Sequence, residues 1–138
     1  MLEPNEIVER YVELWNEPDA ERRRAAIREL WTDDCAHILQ APQDIRDRAA
    51  TVGFYFATLQ THGHDALEAR VARAYEEFVA PGQYVFRLVG EAVRVGDAVK
   101  FRWEMVTADG VAPAGGGLEF LILVARGRIR TDYQFIEG

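Results

Sequence analysis

Acidic and basic side chains recur at close spacing in the second half of the chain, where acid/base chemistry could be assembled. Arg102 and Glu104 are two residues apart, a spacing that puts both side chains on one face of a β-strand. Asp132 comes later in the sequence and can reach this pair if its strand lies alongside. Two carboxylates support proton transfer when one is ionised and the other is protonated, so their pKa values must differ. An arginine between them can hold both in place.

Three further polar residues occur in apolar surroundings. His37 lies in a short candidate strand and could hold water or act as a base, because histidine titrates near neutral pH. Glu119 interrupts the apolar run 118–124, where a carboxylate is rarely buried alone, so it either lines a pocket or pairs across a subunit interface. Tyr11 and Trp15 are either core aromatics or part of a pocket wall.

The alternation of the same strands also supports a simpler interpretation of the charged residues. Arg102 and Glu104 would face solvent as an ordinary surface pair if the apolar residues beside them occupy the inner face. Asp132 and Gln134 share this ambiguity. The apolar residues that compete for the inner face are Phe101, Trp103, Met105, Ile129, Tyr133 and Phe135.

The chain has no strong motif for a metal or a cofactor, and we expect none. His62 and His64 form a two-histidine turn without carboxylates at a fixed spacing, so we predict no metal site. Cys35 is the single cysteine, which excludes an internal disulfide, and we do not assign it as a nucleophile. The glycine run 115–117 precedes a strand instead of opening a helix, so it is not a phosphate-binding loop.

Hydrophobic periodicity changes from helical to alternating along the chain. Amphipathic helices are predicted at residues 6–15, in a second segment capped by Asp19, and in a third that runs from Asp44 to the turn at His62. Strands are predicted at residues 35–40, 67–74, 84–95, 98–107, 118–124 and 128–136. Short turns join most of the later strands, so we expect an α+β fold with a largely antiparallel sheet.

The composition suits one soluble domain over residues 1–138, with 49% hydrophobic and 28% charged residues. Sixteen basic residues against 23 acidic ones give a net charge of -7, which argues against nucleic acid as a partner. The longest apolar stretch is too short to cross a bilayer, and the first residues lack a signal-peptide pattern. We therefore expect no membrane association and a cytoplasmic location.

The strand predicted at 118–124 is apolar on both faces, apart from Glu119. A strand of this kind is covered on both sides, and helices cover only one face of the sheet. We therefore predict a homodimer that forms through the outer sheet surface.

Three segments, in this order, resemble the nuclear transport factor 2-like superfamily, which includes ketosteroid isomerase, the SnoaL polyketide cyclases and limonene epoxide hydrolase. They are Arg10-Tyr11-Val12-Glu13-Leu14-Trp15-Asn16, Leu30-Trp31-Thr32-Asp33-Asp34-Cys35 and Arg126-Gly127-Arg128-Ile129. The resemblance covers nearly the whole chain. It implies a cystatin-like cone, in which three N-terminal helices pack on a curved, mainly antiparallel sheet and the open end forms an apolar pocket.

Two members of this superfamily are similar at particular residues. Tyr11 matches the oxyanion-hole tyrosine of ketosteroid isomerase, and Glu119 takes the place of its second, protonated acid, but Leu39 stands where that enzyme carries its general base. The segment 102–104 and Asp132 resemble the Arg-x-Asp and Asp-Tyr motifs of limonene epoxide hydrolase. That resemblance implies Asp132 as base and Glu104 as acid, held by Arg102, with His37 and Leu39 at the water-holding positions.

The sequence thus predicts a cofactor-independent acid/base enzyme, whether hydrolase, isomerase or cyclase, that acts on a small apolar organic molecule in the pocket of the cone. The alternative is a dimeric domain that binds a ligand or a partner without turnover. The predicted catalytic residues are Asp132, Glu104, Arg102 and His37. The predicted substrate-binding residues are Tyr11, Trp15, Glu119, Gln134, Leu39 and Phe56.

Overall fold

A computed structural model describes residues 3–137 of the chain. Within that part, the elements are α1 (Pro4–Asn16), α2 (Ala20–Leu30), β1 (Trp31–Gln40), α3 (Gln43–Thr51), β2 (Thr58–His62), α4 (His64–Ala74), β3 (Tyr84–Val95), β4 (Ala98–Thr107), β5 (Pro113–Leu123) and β6 (Ile129–Glu137). A π-helical turn, Tyr75–Val79, continues α4, and a short 3-10 turn, Ala125–Gly127, precedes β6. No helix among the described residues combines the length and the apolarity that crossing a bilayer requires.

The six strands form one curved sheet in the order β2-β1-β6-β5-β4-β3. All neighbours are antiparallel except β1 and β6, which run parallel. Because β6 lies beside β1, His37 on β1 is paired with Asp132 on β6. On its other side β6 pairs with β5, which puts Gln134 opposite Glu119. The predicted α+β cone with a mainly antiparallel sheet is confirmed.

The helices cover the inner face of the sheet. Helix α1 buries the apolar face that its sequence periodicity predicts, with Ile7, Tyr11 and Trp15 turned inward. Helix α2 begins at the predicted cap, where the Asp19 carboxylate accepts hydrogen bonds from the backbone N–H groups of Glu21 and Arg22. The core therefore lies between these helices and the inner side chains of the sheet.

The strand predicted at residues 67–74 is wrong, because this segment is helix α4. Leu67, Val71 and Ala74 are all buried, and they are separated by four and then three residues, as one face of a helix requires. Leu67, Ala69 and Val71 are also apolar at every second position, so the two periods are hard to tell apart in this short segment. The order of three helices followed by strands is corrected accordingly, since β1 and β2 lie between helices.

The third predicted helix is also too long. Helix α3 ends at Thr51, and Gly53 adopts a positive φ of 93° that suits glycine and breaks the helix. The chain then returns as β2, which pairs antiparallel with β1. Phe56 consequently lies in the connecting loop with 95% of its surface exposed, and it does not line a pocket as predicted.

Candidate functional site

A cavity of about 540 Å³ opens between the helices and the inner face of the sheet. Its walls are mostly apolar or aromatic, as is typical of small-molecule sites. Aromatic and aliphatic lining residues include Trp15, Leu39, Phe78, Phe86 and Trp103. Three of its polar lining residues are themselves buried, and we call these three, Tyr11, Glu119 and Gln134, the cavity floor.

Two buried carboxyl groups lie at and beneath the cavity floor. Glu119 on β5 is 1% exposed and Asp132 on β6 is 0% exposed, because both point to the inner face of their strands. The Tyr11 hydroxyl donates a hydrogen bond to Asp132 Oδ2. The Trp103 indole N–H donates to Glu119 Oε1 at 2.9 Å. Each carboxyl group is therefore held by one aromatic donor.

The surroundings of Glu119 favour its neutral form. Burial raises the pKa of Glu119 well above its usual range, and the neighbouring Asp132 raises it further, whereas the Trp103 hydrogen bond acts in the opposite direction. Glu119 Oε2 and Asp132 Oδ1 are both buried, and no group in residues 3–137 donates a hydrogen bond to either. A proton shared by the two carboxyl groups would supply the donor that these oxygens lack.

His37 lies beneath the cavity floor beside Asp132. Its Nε2 is 2.9 Å from Gln134 Oε1 and 3.6 Å from Asp132 Oδ2. Burial lowers the pKa of His37, although the charge of Asp132 opposes this effect. A neutral imidazole that donates through Nε2 to Gln134 fits this environment. His37 and Asp132 do not themselves line the cavity.

The same three side chains come close enough to hold a metal ion. One nitrogen of His37 and one oxygen each of Glu119 and Asp132 lie within 4.8 Å of one another. However, His37 Nε2 and Asp132 Oδ2 already have hydrogen-bond partners, and a metal ligand must be deprotonated, whereas the pKa of Glu119 is raised. The arrangement fits a shared proton better than a cation.

The glycine run of β5 makes room for Trp103. A Cβ atom on Gly117 would lie 2.6 Å from Cζ2 of Trp103 and 2.7 Å from the backbone oxygen of Phe135. The indole can therefore lie across the strand and reach Glu119 only because residue 117 has no side chain. The sequence indicated that this run is not a phosphate loop, but it did not indicate this packing role.

Comparisons with known proteins give a consistent assignment. No family model matches the chain, and no curated protein matches it. Among solved structures, a SnoaL-like family protein from Agrobacterium tumefaciens, provisionally named an isomerase, is 27% identical over 96% of both chains, with a TM-score of 0.76. An NTF2-like protein of unknown function from Mesorhizobium loti is 23% identical over 98% of this chain and 91% of its own, with a TM-score of 0.62.

This chain belongs to the SnoaL-like, or NTF2-like, superfamily.

Most of the predicted binding residues of this SnoaL-like protein line the cavity. Five of the six line the cavity, and the exposed Phe56 is the exception. The five are Tyr11, Trp15, Leu39, Glu119 and Gln134. The buried location of Asp132 and His37 brings both close to Glu119, which the sequence did not connect with them.

The predicted cluster of Arg102, Glu104 and Asp132 does not form. Arg102 pairs with Glu137 on the outer face of the sheet, and Glu104 accepts a hydrogen bond from Arg87 Nε there at 2.6 Å. Alternation along β4 explains this placement, because Phe101 and Trp103 turn inward and their neighbours must turn outward. The resemblance to the epoxide hydrolase motif therefore does not extend to the SnoaL-like cavity.

Sequence reasoning missed three residues of the site. Trp103 was assigned only to an apolar strand face, yet it holds Glu119. Arg70 and Arg46 line the cavity from α4 and α3. Arg70 lies next to Val71 on a segment predicted as a strand, and the correct helical period would have placed it on the buried side, three residues after Leu67.

Proposed function

We propose that this SnoaL-like protein is a cofactor-independent enzyme that moves a proton on a small, mostly apolar organic molecule, as isomerases and cyclases do. The observation that carries the proposal is the pair formed by Glu119 and Asp132. Both are buried, they lie within 4.8 Å of each other, and Glu119 lines an apolar cavity. A buried carboxyl group with a raised pKa, beside a second carboxyl group in an apolar site, is suited to general acid catalysis.

In this proposal Glu119 is the general acid. Its pKa is raised, so it carries a proton near neutral pH. In the enolisation of a ketone, Glu119 donates this proton to the carbonyl oxygen while a water molecule takes up the proton that leaves the α-carbon, and Glu119 regains a proton when the enol returns to the ketone. Asp132 is a positioning residue that shares this proton, because it lies beneath the cavity floor and does not line the cavity. Tyr11 and Trp103 hold the two carboxyl groups in place, and the apolar walls keep bulk water away.

Hydrolysis is the least supported of the three reactions that the sequence predicted. The charged groups that an epoxide hydrolase would need are on the outer face, where Arg102 and Glu104 have other partners. The Agrobacterium tumefaciens protein that is similar to this chain is provisionally named an isomerase, which is consistent with proton transfer. We therefore favour enolisation or cyclisation of a carbonyl compound.

The test is the rate at which the protein exchanges the α-protons of a cyclic ketone. We would incubate 2-tetralone in D₂O and follow deuterium uptake by mass spectrometry. We expect wild type to accelerate the exchange and Glu119→Gln to lower that acceleration by about 100-fold or more, since general acid/base groups contribute that much. Glu104→Gln is the matched control, because Glu104 is paired with Arg87 on the outer face. Equal rates for Glu119→Gln and wild type would contradict the proposal.

A binding domain without turnover is the second candidate. This candidate is favoured by the placement of Asp132 and His37 beneath the cavity, where neither side chain would touch a molecule bound in it. In that case 2-tetralone would raise the melting temperature of the protein by mass action, but exchange would proceed at the uncatalysed rate in every variant.

We also propose that the protein forms a homodimer through the outer face of β5 and β6. Phe120 and Phe135 pack edge to face there at 5.9 Å, and Tyr133 and Phe135 remain more than two-fifths exposed. An apolar area of this kind on a sheet is typical of a subunit interface. We expect a dimer by light scattering at micromolar concentration and a monomer for Phe135→Glu. A monomeric wild type would refute this interface.

A further inference from the structure

Two arginines of the cavity wall have no acidic partner. Arg70 and Arg46 both line the cavity, and among residues 3–137 no carboxylate lies within 4.0 Å of either guanidinium group. Several arginines elsewhere in the described residues do have an acidic partner. Arg24 pairs with Glu68, for example, and Arg102 pairs with Glu137. The two cavity arginines are therefore available to a bound molecule.

Arg70 is the stronger of these two binding groups. Its Nε is buried, and no described residue accepts a hydrogen bond from it. Its guanidinium carbon lies 5.7 Å from the centre of the Trp15 ring, which also lines the cavity, so the group is held against an aromatic wall. The Nε of Arg46 is likewise buried without an acceptor among the described residues, but its Nη2 donates to Gln43 Oε1 at 2.9 Å. A half-buried guanidinium group without an acceptor is costly unless a ligand supplies one.

The carboxyl groups nearby do not cancel this charge. The surroundings of Glu119 favour its neutral form. Glu137, at the cavity edge, forms a salt bridge with Arg102 on the outer face of the sheet. Asp132 lies beneath the floor and accepts the hydroxyl of Tyr11. The cavity wall is therefore positive, although the whole chain carries a net charge of -7. An acidic protein that keeps two unpaired cations in its cavity is suited to an anionic ligand.

The positive charge of Arg70 also reaches the cavity floor. Burial raises the pKa of Tyr11 and lowers the pKa of His37, and the charge of Arg70 shifts both pKa values downward. An anion bound to Arg70 would therefore lie near the cavity floor, with the remainder of the molecule against Phe78, Phe86 and the other apolar walls.

We propose that the substrate is an organic carboxylate with an apolar body, whose carboxylate group is bound by Arg70 with Arg46 nearby. The proposal rests on the proposed acid/base function, which it narrows to carbonyl compounds that carry an acid group. Arginine is suited to this role because its planar fork donates two parallel hydrogen bonds to a carboxylate.

The experiment compares two probes of nearly equal shape, 2-naphthoate and 2-naphthamide, by isothermal titration calorimetry at pH 7.5. We expect wild type to bind 2-naphthoate at least about tenfold more tightly than the neutral amide, since hydrogen bonds to charged groups are stronger. We expect Arg70→Gln to weaken 2-naphthoate binding by about tenfold or more and to leave 2-naphthamide binding within about twofold.

Arg73→Gln is the matched control. Arg73 lies on the same helix, is exposed, does not line the cavity, and loses the same charge on substitution. It should leave the affinity of both probes unchanged. Equal binding of the two probes by wild type overturns the proposal, and so does failure of 2-naphthoate to bind at millimolar concentration. An equal loss of 2-naphthoate affinity in Arg70→Gln and Arg73→Gln overturns it as well, since it would indicate only net charge.

Failure of the proposed function has a different signature. Glu119→Gln, which keeps Arg70, should still prefer 2-naphthoate over 2-naphthamide even though it no longer accelerates ketone exchange. If wild type shows the naphthoate preference but no exchange activity, Arg70 is confirmed as the anion site and the acid/base proposal fails. If exchange occurs without any preference, the acid/base proposal stands and the anion site fails.

Discussion

Carboxyl groups lie both at the cavity floor and on the outer face of β4, but their surroundings differ. On the outer face, Glu104 meets Arg87 and Arg102 meets Glu137, so each charge has a counter-charge and water. Inside, Glu119 and Asp132 meet two neutral aromatic donors and each other. The outer carboxylate of Glu104 is paired with an arginine in contact with solvent, whereas burial and the neighbouring Asp132 raise the pKa of Glu119.

This contrast shows which sequence signal points to a site. The spacing of two residues between the opposite charges of Arg102 and Glu104 suits a catalytic pair, but it is also how a strand presents a surface ion pair. Glu119 has no such partner in its strand, and the residues around it are apolar or glycine. An isolated acid in an apolar strand is the better indication of a functional site, because burying an unpaired carboxyl group is energetically costly.

The largest expected difference between the two regions is in turnover. Asp132→Asn should slow ketone exchange by about 100-fold, because the amide removes the acid that shares the proton of Glu119. The pH at which the remaining activity is half-maximal should also fall, since Asp132 is one cause of the raised pKa of Glu119. Glu104→Gln should keep both the rate and the pH profile of wild type. A slower rate with an unchanged profile would show that Asp132 has only a structural role.

The packing beneath Trp103 gives the next largest effect. Gly117→Ala should lower the free energy of unfolding by about 1–3 kcal/mol, because its Cβ would overlap the Trp103 ring and a backbone oxygen. Gly115→Ala is a control from the same run of β5, and a Cβ there would meet nothing within 4 Å. Urea denaturation followed by tryptophan fluorescence measures both. If the two variants are equally stable, the close approach at Gly117 does not constrain the fold.

The buried acid should also leave a signature in the dependence of stability on pH. Glu119 retains a proton in the folded chain above its ordinary pKa of 4.5, whereas the unfolded chain releases it. The folded state therefore binds more protons, and the stability due to Glu119 is fully present below pH 4.5 and declines as pH rises toward the raised pKa. The limiting slope is about 1.4 kcal/mol per pH unit.

Glu119→Gln isolates this effect, because it cannot titrate and can still accept the Trp103 hydrogen bond. The stability of the variant relative to wild type should increase with pH above 4.5. His37 works in the opposite direction, since its lowered pKa makes stability rise with pH up to about 6.5, but it is present in both proteins and largely cancels. A stability difference that does not change between pH 5 and 8 would mean that Glu119 is ionised in the folded protein.

The outer face should give the smallest effect. A double-mutant cycle on Arg87→Gln and Glu104→Gln should yield a coupling energy of about 0.2–1 kcal/mol that decreases in 0.5 M NaCl, because solvent screens a partly exposed pair. The cycle requires four urea denaturation curves at each salt concentration. A coupling that salt does not reduce would place this pair in the same class as the buried acids and remove the contrast between the two regions.

The fold was largely predictable from the sequence, because helix and strand periods are set by which residues face the core. The strands at Tyr84–Val95 and Ala98–Thr107 have the bounds that alternation predicted. Periodicity failed in two short segments, at 67–74 and after Thr51. The first has too few residues to separate the two periods, and the second is interrupted by a glycine with positive φ.

The site was predicted only in part, because it depends on which strands become neighbours. The sequence predicts Tyr11, Glu119 and Gln134 in the pocket and Asp132 and His37 as catalytic residues, but it does not join the last two with Glu119. Glu119 comes near Asp132 through the antiparallel pairing of β5 with β6, and His37 comes near Asp132 through the parallel pairing of β1 with β6, which no local pattern encodes.

The parallel contact between β1 and β6 also determines when the site can exist. His37 and Gln134 are 97 residues apart, and β5 has no second neighbour until β6 inserts between it and β1. During synthesis, the amino-terminal helices and β1 therefore emerge long before the strand that completes the sheet. Until then two strand edges are open to other chains, and contacts of such long range form slowly. We therefore expect the site to form only after β6 has joined the sheet. We expect newly made chains to be most prone to aggregation before that step.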